Sequence, residues 1–123
     1  MRSHHTGAVV VLAALIFALA HPGNAQRARH GKVQSMQASV DTKTGQHPDT
    51  ATITGPATIT CIATVSDLAG APPPACNVAG PGFSGVLVKG KGASLTGAGT
   101  VTLKCVGQGW SRCNARIDTP PAS

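Results

Sequence analysis

Thr100-Val101-Thr102-Leu103-Lys104-Cys105-Val106 alternates without interruption. Val101, Leu103 and Cys105 share one side, and Thr100, Thr102 and Lys104 share the other. Successive side chains of a strand leave opposite faces of a sheet, so this is a strand with one face buried and one in water. Residues 57–65 read the same way, with Ile59, Cys61, Ala63 and Val65 opposite Thr58, Thr60 and Thr64. Further strands are predicted over 84–89, 93–96, 51–54 and 112–117, with a turn at Gly90-Lys91-Gly92. Ala71-Pro72-Pro73-Pro74 and Gly80-Pro81-Gly82 are loops, because proline brings no donor to a central strand. No stretch sustains a helical period. The fold class is therefore all-β: a small antiparallel β-sandwich or barrel-like module.

A weak internal repeat runs through this region. Thr54-Gly55 precedes Thr58-Ile59-Thr60-Cys61, and Cys76-Asn77 follows; Thr96-Gly97 precedes Thr100 to Cys105, and Cys113-Asn114 follows. Each half reads as a Thr-Gly pair, a threonine-rich strand, a cysteine, a loop, then Cys-Asn. Two pseudo-repeated hairpins are one reading, and chance in a Thr- and Gly-rich chain is the other. If the repeat is real, Cys61 pairs with Cys76 and Cys105 with Cys113. A rival pairing joins Cys61 to Cys105 across a sandwich, on the model of an immunoglobulin-like bridge, although there the tryptophan falls between the cysteines and Trp110 follows both. A nested pairing is the third possibility. Spacings of Cys-x14-Cys and Cys-x7-Cys do not suit zinc, which favours Cys-x2-4-Cys pairs, so no metal and no cofactor is expected.

The N-terminus sets the compartment. Residues 8–20 form an uncharged run of 13 residues behind Arg2, followed at once by Pro22 and Gly23. That is the length of a signal-peptide core and short of the roughly 20 residues a membrane span needs. Gly23-Asn24-Ala25 offers the preferred cleavage site and Ala18-Leu19-Ala20 a second, so residues 1–25 are predicted to be a signal peptide. An uncleaved anchor is the alternative. No membrane span is expected after cleavage, and the protein is expected to be periplasmic or secreted. An even number of cysteines in a short exported chain signals disulfides. Cleavage leaves about 98 residues, enough for one domain. Residues 26–48 are poor in large apolar side chains and are predicted to form a flexible, polar and basic leader. Residues 49–119 form the β domain, and 120–123 a C-terminal tail.

Catalytic chemistry is scarce. The mature chain holds neither Glu nor Tyr; its acids are Asp41, Asp49, Asp67 and Asp118, and its histidines His30 and His47 fall in the leader. A Ser-His-Asp array needs its base on a rigid scaffold. Paired carboxylates would have to come from Asp49 and Asp67, which nothing in the sequence brings together. Turn and cap roles are the expectation for each Asp, and no enzyme activity is predicted.

What remains is positive charge, formally +6 over the whole chain. Arg27, Arg29 and Lys32 cluster after the cleavage site, Lys89 and Lys91 flank a turn, and Arg112 and Arg116 end the second repeat. Such groups attract polyanions by electrostatics that salt screens, and they also keep a β protein soluble. Trp110, in a Gly-rich loop between two cysteines, reads either as a lid over the small core or as an exposed anchor for a partner. With so few aromatics, sequence-specific nucleic-acid binding is not expected. The sequence thus predicts a binding or structural module at the cell envelope, engaging an anionic envelope component or another exported protein. A small secreted basic effector, either antimicrobial or an inhibitor of an envelope enzyme, is the alternative.

Overall fold

The computed structural model describes residues 31–121. The segment predicted to be a signal peptide, and Arg27, Arg29 and His30, lie outside the described residues. Nine strands follow in order: β1 (Lys32–Asp41), β2 (Gly45–His47), β3 (Asp49–Ile53), β4 (Ala57–Ser66), β5 (Ala75–Gly80), β6 (Phe83–Leu87), β7 (Gly92–Leu95), β8 (Gly99–Val106) and β9 (Ser111–Thr119). All pairs are antiparallel. One sheet has the order β2-β1-β9-β4-β7 and the other β3-β8-β5-β6. The fold is all-β, as the alternation requires.

The core lies between the sheets. Met36, Ala38, Ile59, Ala115 and Ile117 enter it from the first, and Ile53, Val78, Leu87, Val101 and Leu103 from the second, all buried. Few of these are large, and the four cysteines, each fully buried, fill the space between them. Burial of so few methylenes gives a thin hydrophobic term, so covalent staples carry more of the stability than in a larger domain.

Cys61 is bonded to Cys76 and Cys105 to Cys113. These pairs are local in sequence, yet they do not close hairpins. Cys61 on β4 and Cys113 on β9 belong to the first sheet, and Cys76 on β5 and Cys105 on β8 to the second. Each bridge therefore ties sheet to sheet. Cys76 and Cys105 are also direct cross-strand partners, so the two bridges stand side by side in the middle of the sandwich.

The repeat is present as arches across the sandwich, and the paired-hairpin expectation is corrected. Exchanging β1 with β6, β3 with β7, β4 with β8 and β5 with β9 converts the order β1-β9-β4-β7 into β6-β5-β8-β3, which is the second sheet read backwards. Only β2 has no counterpart. Registers at the outer strand pairs are offset by two residues: Ala57 faces Leu95, whereas Val101, its equivalent, faces Ala51 rather than Ile53.

Two further expectations need correcting. Residues 32–47, assigned from composition to a flexible leader, form β1 and β2, and the β unit runs over Lys32–Pro120. β1 pairs with β9 along nearly its whole length, from Lys32↔Thr119 to Val40↔Ser111. A low count of large apolar residues hid the fact that Met36 and Ala38 alternate inward while Ser35 and Gln37 face water. The strand over 57–65 also breaks phase. A β-bulge between Cys61 and Ala63 adds a residue on β4, which turns Ile62 and Val65 outward to 41% and 45% exposure. β5, absent from the sequence reading, lies between the proline run and Pro81.

Both lateral sides of the sandwich are stitched. On one, Gln34 Nε2 donates to Thr52 O at 3.2 Å, Gln46 Nε2 to Cys105 O at 3.0 Å, and the Gln37 N–H to Asp49 Oδ2 at 3.0 Å. On the other, the Gly90 N–H donates to Cys61 O at 2.7 Å and the Thr96 N–H to Pro81 O at 3.0 Å. Gly82 is obligatory there: its φ is +80°, and a Cβ would collide with the Thr96 side chain.

Candidate functional site

β9 is a central strand flanked by β1 and β4. Cys113, Ala115 and Ile117 point into the core, so Arg112, Asn114, Arg116 and Asp118 stand on the outer face. Cross-strand register sets Ser39 and Val65 beside Arg112, Gln37 and Ala63 beside Asn114, and Ser35 and Thr60 beside Arg116. The middle of this face is therefore a file of guanidinium, amide and guanidinium groups, bordered by hydroxyls and a second amide.

The file begins at a braced loop. Asp67 Oδ1 accepts the Trp110 N–H at 2.9 Å, and Trp110 O accepts the Asp67 N–H at 3.0 Å. Ser66 and Ser111 hydroxyls both donate to Gln108 O, at 3.2 and 3.1 Å. Gly109 permits this closure, with φ +65° and an added Cβ only 2.8 Å from Asp67 Oδ1. Held in this way, the Trp110 ring lies 5.4 Å from the Arg112 guanidinium, within cation–π range. Trp110 is half-buried and stands outside the core cluster, so the lid role is not the one it takes.

A depression of about 350 Å³ opens beside the file, lined by Ser35, Met36, Gln37, Asp49, Ile62, Asn114 and Ala115. Asn114 Oδ1 on its wall, and Arg112 Nε outside it on the same face of β9, are buried atoms with no hydrogen-bond partner among the described residues. Leaving a buried polar atom unpaired costs about 1–3 kcal/mol, so such atoms are uncommon and call for a reason.

The carboxylates are all engaged, but only Asp41 takes a plain turn role; Asp49 and Asp67 also tie together segments distant in sequence, and Asp118 forms an ion pair on β9. Asp41 accepts the Lys43 N–H at 2.8 Å, Asp49 accepts the Gln37 and Thr50 N–H groups at 3.0 and 2.8 Å, and Asp67 holds Trp110. Asp118 Oδ2 takes the Arg116 Nε–H at 2.9 Å, the one salt bridge among the described residues. Those four are all the side-chain carboxylates of the chain. Lys32, Lys43, Lys89, Lys91, Lys104 and Arg112 are thus left without a carboxylate partner. His47 sits on β2, its Nε2 2.7 Å from Thr44 Oγ1, and does not meet an acid. Among the described residues no cluster of His, Cys, Asp or Glu is suited to a metal ion.

No family model matches the chain, and no curated protein or solved structure matches it either. The function must be read from the residues.

Of the sites named from sequence, the structure brings Trp110, Arg112 and Arg116 together on one face. Lys89 and Lys91 fall on the opposite lateral side, where Lys91 O accepts the Cys61 N–H at 2.9 Å, and Lys32 opens β1 at the far end from Trp110. The positive charge is therefore several separate groups rather than one stripe. Asn114, Gln37 and Ser35 were missed; the only sequence signal for the first was the repeated Cys-Asn pair. The outer face of the other sheet differs. There Asn77, the equivalent of Asn114, stands between Val86 and Lys104. Val86, Val88 and Val106 are 57%, 56% and 46% exposed. The two outer faces differ: that of the second sheet carries no arginine and sets Thr50, Thr52, Thr100, Thr102 and Lys104 beside the exposed valines.

Proposed function

We propose that this protein is an exported, non-enzymatic binding module that holds an anionic component of the cell envelope. One observation carries the reading: every aspartate is engaged internally, while Arg112, seated against Trp110 on a rigid face, has no acceptor among the described residues. A cation fixed in place and unpaired is a recognition element, since the entropy of ordering it has been met by the fold. The two inter-sheet disulfides fit an oxidising compartment. The spent carboxylates and the placement of His47 on β2 weigh against acid–base catalysis, which needs a titratable pair poised at one point.

The test uses the mature chain, starting at Gln26, applied to immobilised anionic envelope polymer and to envelope extract at about 0.02 M and about 0.5 M salt, either side of the range where the Debye length shrinks to molecular contact distance. Retention at low salt and release at high salt is the expected result. Free passage at low salt refutes the reading.

A further inference from the structure

We infer that the outer face of the five-stranded sheet at β9 is a site for a carboxylated glycan, with one sugar ring over Asn114 and Gln37 and its carboxylate on Arg112. The inference rests on the anion-binding reading above and names its site and ligand class.

The two partly exposed side chains define the ligand. Asn114, on the wall of the depression, and Arg112, two residues away on β9, each keep one buried atom without an internal partner, Oδ1 and Nε, so a ligand meets the exposed remainder of the amide and of the guanidinium. A ligand that engages both carries hydroxyl groups close to an anionic oxygen. Residues two apart on a strand are separated by about 7 Å, so both groups must lie within one or two sugar units. Uronic acids meet that description. Ser35 and Gln37 on β1 line the same depression and add a hydroxyl and an amide for further ring hydroxyls. Ile62, turned outward by the bulge, supplies an apolar wall for the C–H face of a ring.

Other anions fit less well. Asp49 lines the depression, and its charge, although shared with two backbone N–H groups, repels a doubly charged phosphate more than a singly charged carboxylate. A lipid surface would seek apolar side chains all round the cation; Val65 and Trp110 border Arg112 on the β4 side, but the β1 side presents Ser39, Gln37 and the nearby Asp49 carboxylate, which an anionic lipid surface disfavours. A nucleic acid needs successive aromatic platforms, and Trp110 is the chain's one tryptophan, with Tyr absent. Arg116 is the weaker cation of the file because Asp118 holds its Nε. Arg112 is the stronger one, since a planar guanidinium can meet a carboxylate with two parallel bonds.

The experiment is a titration of the mature protein, followed by calorimetry and by fluorescence of its single tryptophan. The probes are an oligogalacturonate, its methyl-esterified neutral form, inorganic phosphate, and vesicles of phosphatidylglycerol. The expected order places the oligogalacturonate first. Arg112→Gln should weaken it by about 10- to 100-fold, the range for a hydrogen bond to a charged group. Asn114→Leu should weaken both the acidic and the neutral oligosaccharide by about 3- to 10-fold. Lys89→Gln/Lys91→Gln, on the far side, should leave affinity within about twofold at moderate salt. Arg112→Lys keeps the charge but loses the fork, and should bind between the wild type and Arg112→Gln; it serves if Arg112→Gln fails to fold. Tighter binding of vesicles or phosphate, or equal losses from the lysine and arginine variants, would overturn the site while leaving anion binding intact; equal binding of the neutral esterified oligomer would overturn both. Failure of every anionic probe would remove the broader functional reading as well.

Discussion

Removing one disulfide at a time tests the architecture, because each bridge is short in sequence and yet joins the two sheets. The Cys61–Cys76 loop has a sequence separation of 15 and the Cys105–Cys113 loop one of 8. Chain-entropy arithmetic assigns them about 3 and about 2.5 kcal/mol respectively. For a unit of this size 1 kcal/mol moves Tm by roughly 4–8 °C, so Cys61→Ala/Cys76→Ala should melt about 12–24 °C below the wild type, and Cys105→Ala/Cys113→Ala about 10–20 °C below. All four sulfurs are fully buried, so the lost packing adds to these figures. Cys76 faces Cys105 across β5 and β8, and neighbouring sites of this kind do not add independently. With both bridges gone the loss, about 5.5 kcal/mol or more, rivals the whole stability of a small domain, and the four-alanine chain should be largely unfolded at 25 °C. Circular dichroism melts of the three variants supply the measurement. A double variant within about 3 °C of the wild type would show that the bridge in question carries no constraint the sheets do not already impose. That result would refute the argument that this thin core depends on its staples.

Other predictions follow from single features. Met36→Ala should cost about 2–5 kcal/mol, read by denaturant unfolding, whereas a mobile leader would give no change. Deleting residues 26–48 should abolish folding, since it strips β1 from β9; a cooperative melt from the truncated chain would contradict this. Gly109→Ala should lower stability by about 1 kcal/mol or more, because φ is +65° and Asp67 Oδ1 lies in the way, and it should alter tryptophan fluorescence by loosening the loop. Tryptic mapping without reduction should leave the Cys105 peptide linked to the Cys113 peptide after cuts at Lys104 and Arg112. A link from Cys105 to the long peptide bearing Cys61 and Cys76 would contradict the pairing.

How far the sequence reached depended on side-chain size. β8 and β4 were legible because Val101, Leu103 and Ile59 mark the buried phase strongly. β1 was not, because a single methionine and an alanine mark its buried phase between polar neighbours, and composition outweighed period. β5 was masked by proline and glycine at either end. The bulge in β4 leaves no mark in an alternating run, since one extra residue changes the phase without changing the residue types. Cysteine spacing made the pairing readable, but which sheet each cysteine occupies depends on the arch between β4 and β5, a long-range choice. The candidate site was half legible. Trp110, Arg112 and Arg116 stood out by type, while Gln37 and Ser35 join them only through the β1–β9 register.

Binding focused on one face of β9, rather than spread over a cationic surface, has a direct signature in backbone amide chemical-shift mapping of the 15N-labelled mature protein against the oligogalacturonate. The largest shifts should fall on residues 35–37, 62–63 and 110–116, with β5 and β6 unmoved. Shifts centred on Lys89, Lys91 and Lys104, or scattered evenly among the lysines, would contradict it.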